Sequence, residues 1–219
     1  MYTINDLFDL RYSIAAPLFE GKTYPWEVLD DIKSFILALG PTLPKEEYEE
    51  RSEGVWVAKD ATVFPTAYLG APCIIDHGAE VRHCAFIRGS AIVGKDAVVG
   101  NSVELKNCIL FDGVQTPHFN YVGDSVLGYK SHMGAGSVTS NVKSDKTLVV
   151  VKNGEEKFET GRKKFGAMLG DFVEVGCNSV LNPGTVVGRH TNVYPTSCVR
   201  GVVPENHIWK DKDHVVEKY

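Results

Sequence analysis

Arg88 and Lys106 stand 18 residues apart, and each follows an aliphatic residue, Ile87 and Leu105. In a chain that coils once every 18 residues they lie one above the other, on rungs about 4.8 Å apart. Two stacked cations repel unless an anion joins them. The pair therefore reads as a site for a phosphate or diphosphate, with two solvated surface cations as the plain alternative. Glu104, two residues before Lys106, is a candidate internal neutraliser. His118 lies in Thr116-Pro117-His118-Phe119-Asn120-Tyr121, where a histidine among aromatics can act as general base. An ordinary loop histidine is the alternative there. His132, just before Met133-Gly134-Ala135-Gly136, is placed to point to the same space one coil later.

Other chemistries find less support. His77 and His83 are six residues apart, and 18 residues on from each stand Lys95 and Asn101 rather than further ligands, so no metal site is expected. No Gly-rich loop follows a strand and opens a helix, which excludes a P-loop and a dinucleotide fold. No GxSxG nucleophile elbow occurs.

The elements that would hold these residues are written in a six-residue period. From Val57 an aliphatic residue recurs at Val63, Leu69, Ile75, Val81, Ile87, Val93, Val99 and Leu105, with a small residue four places on from Ala61 to Ala97. Leu169, Val175, Leu181, Val187, Val193 and Val199 repeat the pattern. Period six is neither helix nor bare strand; it suits a short strand plus a turn, three of which make an 18-residue coil. Stacked coils give an all-β solenoid, a parallel β-helix of triangular section. A β-sandwich does not keep such a phase. The 21 glycines are expected largely at the corners. A step of 11 between Phe111 and Val122 places a break in the coil there, with His118 on it.

Residues 1–50 stand outside the period and read as a helical cap and connector over the open apolar end of the solenoid. Asn5 or Asp6 caps a first helix over LFDLRYSIAAPLF, Pro25 opens a second, and Gly40 stops it. Residues 41–54 read as a solvated connector. The β-helix is expected over 51–205, with an inserted, protruding β-hairpin at about 144–160 around Lys152-Asn153-Gly154 and a tail at 206–219. Of 219 residues, 43% are apolar and 23% charged, an ordinary soluble composition. The net charge of −5 argues against a general nucleic-acid binder. No apolar run approaches the roughly 20 residues of a membrane span. MYTINDLFDL carries no Lys or Arg, so no secretory leader is expected. Five cysteines without a CxxC fit a reducing compartment, and the expected location is the cytoplasm.

The stretch Val99-Gly100-Asn101-Ser102-Val103-Glu104-Leu105-Lys106, then His118-Phe119-Asn120-Tyr121-Val122-Gly123-Asp124, then Met133-Gly134-Ala135-Gly136-Ser137-Val138-Thr139-Ser140-Asn141, resembles the acetyltransferase half of the bifunctional glucosamine-1-phosphate acetyltransferase/N-acetylglucosamine-1-phosphate uridyltransferase family. The resemblance covers residues 55–205 and implies a left-handed β-helix that forms homotrimers and uses acetyl-CoA. It implies His118 as general base, Arg88, Lys106 and Tyr121 as the groups that hold the hexosamine phosphate and sugar, and Asn141 in the same site. It further implies Lys164 there, with Lys143 as rival, and backbone N–H groups near Gly134, Ala135 and Gly136 at the oxyanion. The arm of the cofactor is expected along the second block, by Cys177, Pro195 and Arg200, at a subunit seam. His132 stands where the family has an asparagine, the hairpin is extra, and no uridyltransferase signature such as GxGTRM is present.

The expected activity is acetyl-CoA-dependent N-acetylation of an amino-sugar phosphate of the glucosamine-1-phosphate kind. The competing readings are a catalytically silent sugar-phosphate or UDP-sugar binding module, a zinc-dependent γ-type carbonic anhydrase, and a pyrophosphorylase by homology alone. The expected partners are a small-molecule acceptor and further copies of the chain, with neither nucleic acid nor membrane. Ile74, Ile92 and Val98 suit a trimer face or pack beneath the cap.

Overall fold

The computed structural model describes residues 1–218. The hexads wind into a left-handed parallel β-helix of three faces. The first face stacks Val55–Ala58, Cys73–Ile75 and Ala91–Val93, the second halves of Glu104–Leu110 and Tyr121–Leu127, then Ala167–Leu169, Thr185–Val187 and Val202–Val203. The second runs from Thr62–Val63 through Val98–Asn101, Gln115–His118 and His132–Met133 to His207–Asp211. The third runs from Tyr68–Leu69 through the first halves of Glu104–Leu110 and Tyr121–Leu127 to Cys198–Val199. The period-six aliphatics point inward, and those from Ile75 to Leu105 are fully buried.

The corners are not mainly glycine. Cys84, Ser90, Asp96, Ser102, Asn107, Asp124 and Lys130 turn them with φ between 48° and 60°. Glycine is needed where successive coils touch: a Cβ at Gly100 would lie 1.6 Å from the Pro117 carbonyl oxygen.

The break expected between Phe111 and Val122 is elsewhere. Leu110, Thr116 and Val122 keep regular six-residue steps, with Thr116 as a buried polar member that hid the pattern. The coil shortens instead at two corners, Leu105 to Leu110 and Val122 to Leu127, where one strand bends around the edge without a loop. His118 thus sits on a regular rung.

The N-terminal segment lies along the first face rather than over the open end. Outward-pointing Ile74, Ile92, Ile109 and Met168 are fully buried; Ile74 and Ile92 are therefore not a trimer face, and Val98 is half-buried on the second face. The expected long first helix is a single turn, α1 (Ile4–Leu7), with Thr3 N–H and Oγ1 both donating to Asp6 at 2.7 Å. The backbone is extended at Phe8 and again at Ser13, so the chain after α1 continues only in 3₁₀ turns, Leu10–Tyr12 and Ala16–Phe19. Pro25–Val28 is likewise a 3₁₀ turn, and α2 (Ile32–Leu39) follows. Phe8 packs on Phe111 with ring centroids 5.1 Å apart, and Trp26 on Phe165 at 5.7 Å. Asp171 ties α1 down, accepting from Asp9 N–H at 2.8 Å and donating to the Leu7 carbonyl at 3.0 Å.

Within 41–54, Tyr48–Ser52 is a strand antiparallel to Val55–Ala58. The hairpin pairs Val150–Asn153 with Glu156–Glu159 and folds back rather than protruding: Val149 and Val151 are fully buried, and Phe158 meets Tyr24 at 5.8 Å. Residues His207–Asp211 and His214–Glu217 form a closing antiparallel pair on the second face. No helix among the described residues is long and apolar enough to cross a membrane.

Candidate functional site

The shortened corners build the site. A step of 17 residues at this edge aligns Asn107, Asp124 and Asn141, the first two in left-handed backbone that Asn and Asp tolerate. Asp124, 3% exposed, accepts from Asn107 Nδ2 at 2.9 Å and from Asn141 Nδ2 at 2.5 Å. Lys106 Nζ adds contacts of 2.9 and 3.2 Å to its two oxygens. A carboxylate this buried is tolerable because the three side chains bonded to it, Lys106, Asn107 and Asn141, all donate. Asp124 was present in the sequence only as part of a motif; its position 17 residues from two asparagines was the signal.

The two stacked cations are each neutralised, but separately. Arg88 Nη1 meets Glu104 at 2.7 Å, while Lys106 is held by Asp124. Tyr121 reaches the same network, its Oη accepting from Asn141 Nδ2 at 3.1 Å. It lies flat over Gly123, where a Cβ would sit 2.4 Å from Oη. Burial, with Asp124 and Glu104 nearby, pushes the Tyr121 phenol up, so its proton is available to donate. Lys164 lines a cavity of about 450 Å³ together with Lys106, Asn107 and Asp124. Lys143 instead meets Thr147 and Asp145 within its own loop, which favours Lys164 of the two rivals. Arg88 does not line that cavity.

His118 ends the strand Gln115–His118, at the corner where the second face meets the third, three residues before Tyr121. Its exposed ring makes no hydrogen bond or ion pair among the described residues, and it does not line the cavity. Below it on the same corner come Ala135, Cys177 and Pro195: Gly136 N–H donates to the His118 carbonyl, Asn178 N–H to Ala135, and Thr196 N–H to Cys177. The N–H groups of Gly134 and Gly136 are engaged, with Val175 and His118 carbonyls at 2.7 and 3.0 Å. Among residues 134–136, Ala135 alone has an N–H with no acceptor among the described residues.

Two expected residues fall away from this corner. His132 pairs in register with Gln115, three residues before His118, and its Nδ1 meets Glu174 at 2.8 Å; it does not share the His118 space. Arg200 follows Val199 on the third face, in the column of Arg88 and Lys106 and not in that of Cys177 and Pro195. His77 sits between Asp60 and Glu47, at 3.0 and 3.2 Å.

A left-handed β-helix of hexapeptide coils, with a polar network at one edge and a histidine at the next, defines the class. The family model described as the GMPPB C-terminal domain matches residues 69–212, and the chain belongs to that family. It is also homologous to a bifunctional sugar-1-phosphate nucleotidylyltransferase/acetyltransferase of Sulfurisphaera tokodaii, at 30% identity over 189 residues, 85% of this chain and 47% of that protein. Bifunctional protein GlmU of Methanococcus aeolicus is 29% identical over 134 residues, 61% of this chain and 32% of that one. The chain thus spans less than half the length of these relatives. Among solved structures, the acetyltransferase domain of PglB from Neisseria gonorrhoeae FA1090 in complex with acetyl coenzyme A is similar, with a TM-score of 0.29 and 15% identity, covering 74% of this chain and 56% of that one.

Proposed function

We propose that the chain transfers an acetyl group from acetyl-CoA to the amine of an amino-sugar phosphate. The observation that carries this reading is the gathering of Lys106, Tyr121 and Asn141 around Asp124, on the face that begins beside His118. In this reading the sugar lies over Tyr121 with its phosphate toward Lys106 and Lys164. The amine attacks the thioester carbonyl, and His118 takes the amine proton. The Ala135 N–H is free to meet the oxyanion, and collapse expels the CoA thiolate, which the His118 proton then neutralises. The column Ala135, Cys177 and Pro195 offers an edge for the pantetheine arm.

A coupled CoA-release assay across amino-sugar phosphates tests the reading, which fails if none releases CoA. His118→Ala is expected to lower turnover by roughly 10²–10⁴; near-wild-type turnover removes His118 as base. A silent binding module is the second reading, favoured by one observation: among the described residues no side chain hydrogen-bonds the His118 ring. Thermal stabilisation by a sugar phosphate or UDP-sugar, with none by acetyl-CoA, would support it instead.

A further inference from the structure

The cavity beside the stacked Asn107, Asp124 and Asn141 is walled by three separate pieces of chain: residues 29–33 leading into α2, the prism edge, and the return of the hairpin from Gly161 to Lys164. It gathers five cationic side chains, Lys33, Lys106, Arg162, Lys163 and Lys164, against two carboxylates, Asp30 and Asp124. Two of the cations are already engaged. Lys106 is held by Asp124, and Arg162 grips Asp30 with both terminal nitrogens, one contact measuring 2.8 Å. Lys33, Lys163 and Lys164 make no ion pair among the described residues, so the cavity carries an uncompensated positive charge. Its walls are pinned on both sides. The Asp30–Arg162 pair binds the hairpin return to the N-terminal segment, and Asn107 Nδ2 donates to the Leu29 carbonyl at 3.0 Å.

We propose that Lys33 and Lys163 bind a phosphoryl group in this cavity, completing with Lys164 an anion site that the prism alone does not possess. Three lysines lining one cavity of about 450 Å³ repel one another, and a bound dianion reverses the sign of that interaction. Lys33 lies outside residues 69–212, the stretch that the family model matches. The inference deepens the acetyl-transfer reading, in which the phosphoryl group is the acceptor's. The phosphates of CoA are the other source of the same chemistry.

The test is calorimetric titration of the full chain, without acetyl-CoA, using inorganic phosphate, glucosamine 1-phosphate and CoA as separate ligands. Lys33→Ala is expected to weaken the phosphoryl ligand roughly 3- to 10-fold and Lys33→Ala/Lys163→Ala roughly 10- to 50-fold. Lys33→Arg should recover most of the loss, and Lys212→Ala, on the terminal hairpin, should change nothing. Both lysines are exposed, so unchanged thermal unfolding of the variants separates lost binding from lost folding. Losses confined to phosphate and the sugar phosphate assign the cavity to the acceptor; losses confined to CoA keep the phosphoryl site and assign it to the cofactor. The proposal is overturned if no ligand binds the wild-type chain, or if the double variant stays within twofold of it. Anion binding that depends on Lys33 in a chain that releases no CoA would remove the acetyl-transfer reading and leave the cavity standing.

Discussion

Replacing Asp124 tests whether the stack of Asn107, Asp124 and Asn141 is the structural heart of the site. The carboxylate is buried and takes three donors, Lys106, Asn107 and Asn141, so its loss leaves donors facing one another and an ammonium without its counter-charge. Removing one partner of a buried ion pair costs about 3–5 kcal/mol. The Lys106 side chain is 26% exposed and recovers part of this by reaching water. Asp124→Ala is therefore expected to cost about 3–5 kcal/mol, including the strain of alanine in left-handed backbone at φ 48°. Asp124→Asn fits that backbone and keeps one acceptor oxygen, but points an amide at a donor, and should cost about 2–3 kcal/mol. For a chain of this length that is a melting-temperature drop of roughly 4–12 °C. Urea unfolding of Asp124→Asn, Lys106→Met and the double variant gives the coupling directly. An interaction of at least about 1 kcal/mol is expected; additivity within about 0.5 kcal/mol would refute the reasoning.

Two further outcomes follow from the geometry. Burial pushes the Asp112 carboxyl up to about 6, above its unfolded value, so the folded chain holds a proton that the unfolded chain releases. Stability from this group is present below about pH 4 and lost as pH rises through about 6. For a fully buried group the shift is worth roughly 3 kcal/mol, and the partial exposure of Asp112 cuts it to about 1 kcal/mol. Asp112→Asn should therefore stabilise by about 1 kcal/mol at pH 7 and hardly at pH 4 in urea titrations; an equal effect at both pH values contradicts this origin. Gly123→Ala places a methyl against Tyr121 Oη and should swing the ring from Asn141, raising the sugar-phosphate KM roughly tenfold, a loss of about 1.4 kcal/mol, at a melting temperature within a few degrees of wild type. An unchanged KM would show that Tyr121 does not orient the sugar.

The coil was legible because most of its inward positions are aliphatic at a fixed step, a choice that burial favours. The site was legible only in part. Thr116 faces inward as a polar residue, so the regular coil around His118 looked like a break. The true irregularity is one residue lost at each of two corners, which a step of 18 from Arg88 to Lys106 passes over and a step of 17 from Asn107 to Asp124 to Asn141 exposes. The path of the N-terminal segment left a quieter trace. Cys73-Ile74-Ile75 and Ala91-Ile92-Val93 are apolar at three consecutive positions, the pattern of strands covered on both sides rather than one. What covered them was not readable, since α1 is one turn and 3₁₀ turns carry no strong period.

That cover joins stability to the site. Each of Ile74, Ile92, Ile109 and Met168 is fully buried on the outward side, a burial worth roughly 1.5–3 kcal/mol apiece at most. Together they approach the whole stability of an ordinary domain. A segment held that firmly is part of the folded prism, and three of its residues reach the cavity. Leu29 receives Asn107, Asp30 grips Arg162, and Lys33 lines the wall. The apolar contacts therefore fix where these groups stand without themselves touching a ligand. The polar contacts, each worth about 1 kcal/mol, then have only to select among positions that packing has already narrowed. On this account the charge of the cavity is set by the hairpin and the N-terminal segment, while its floor is set by the shortened corners of the coil.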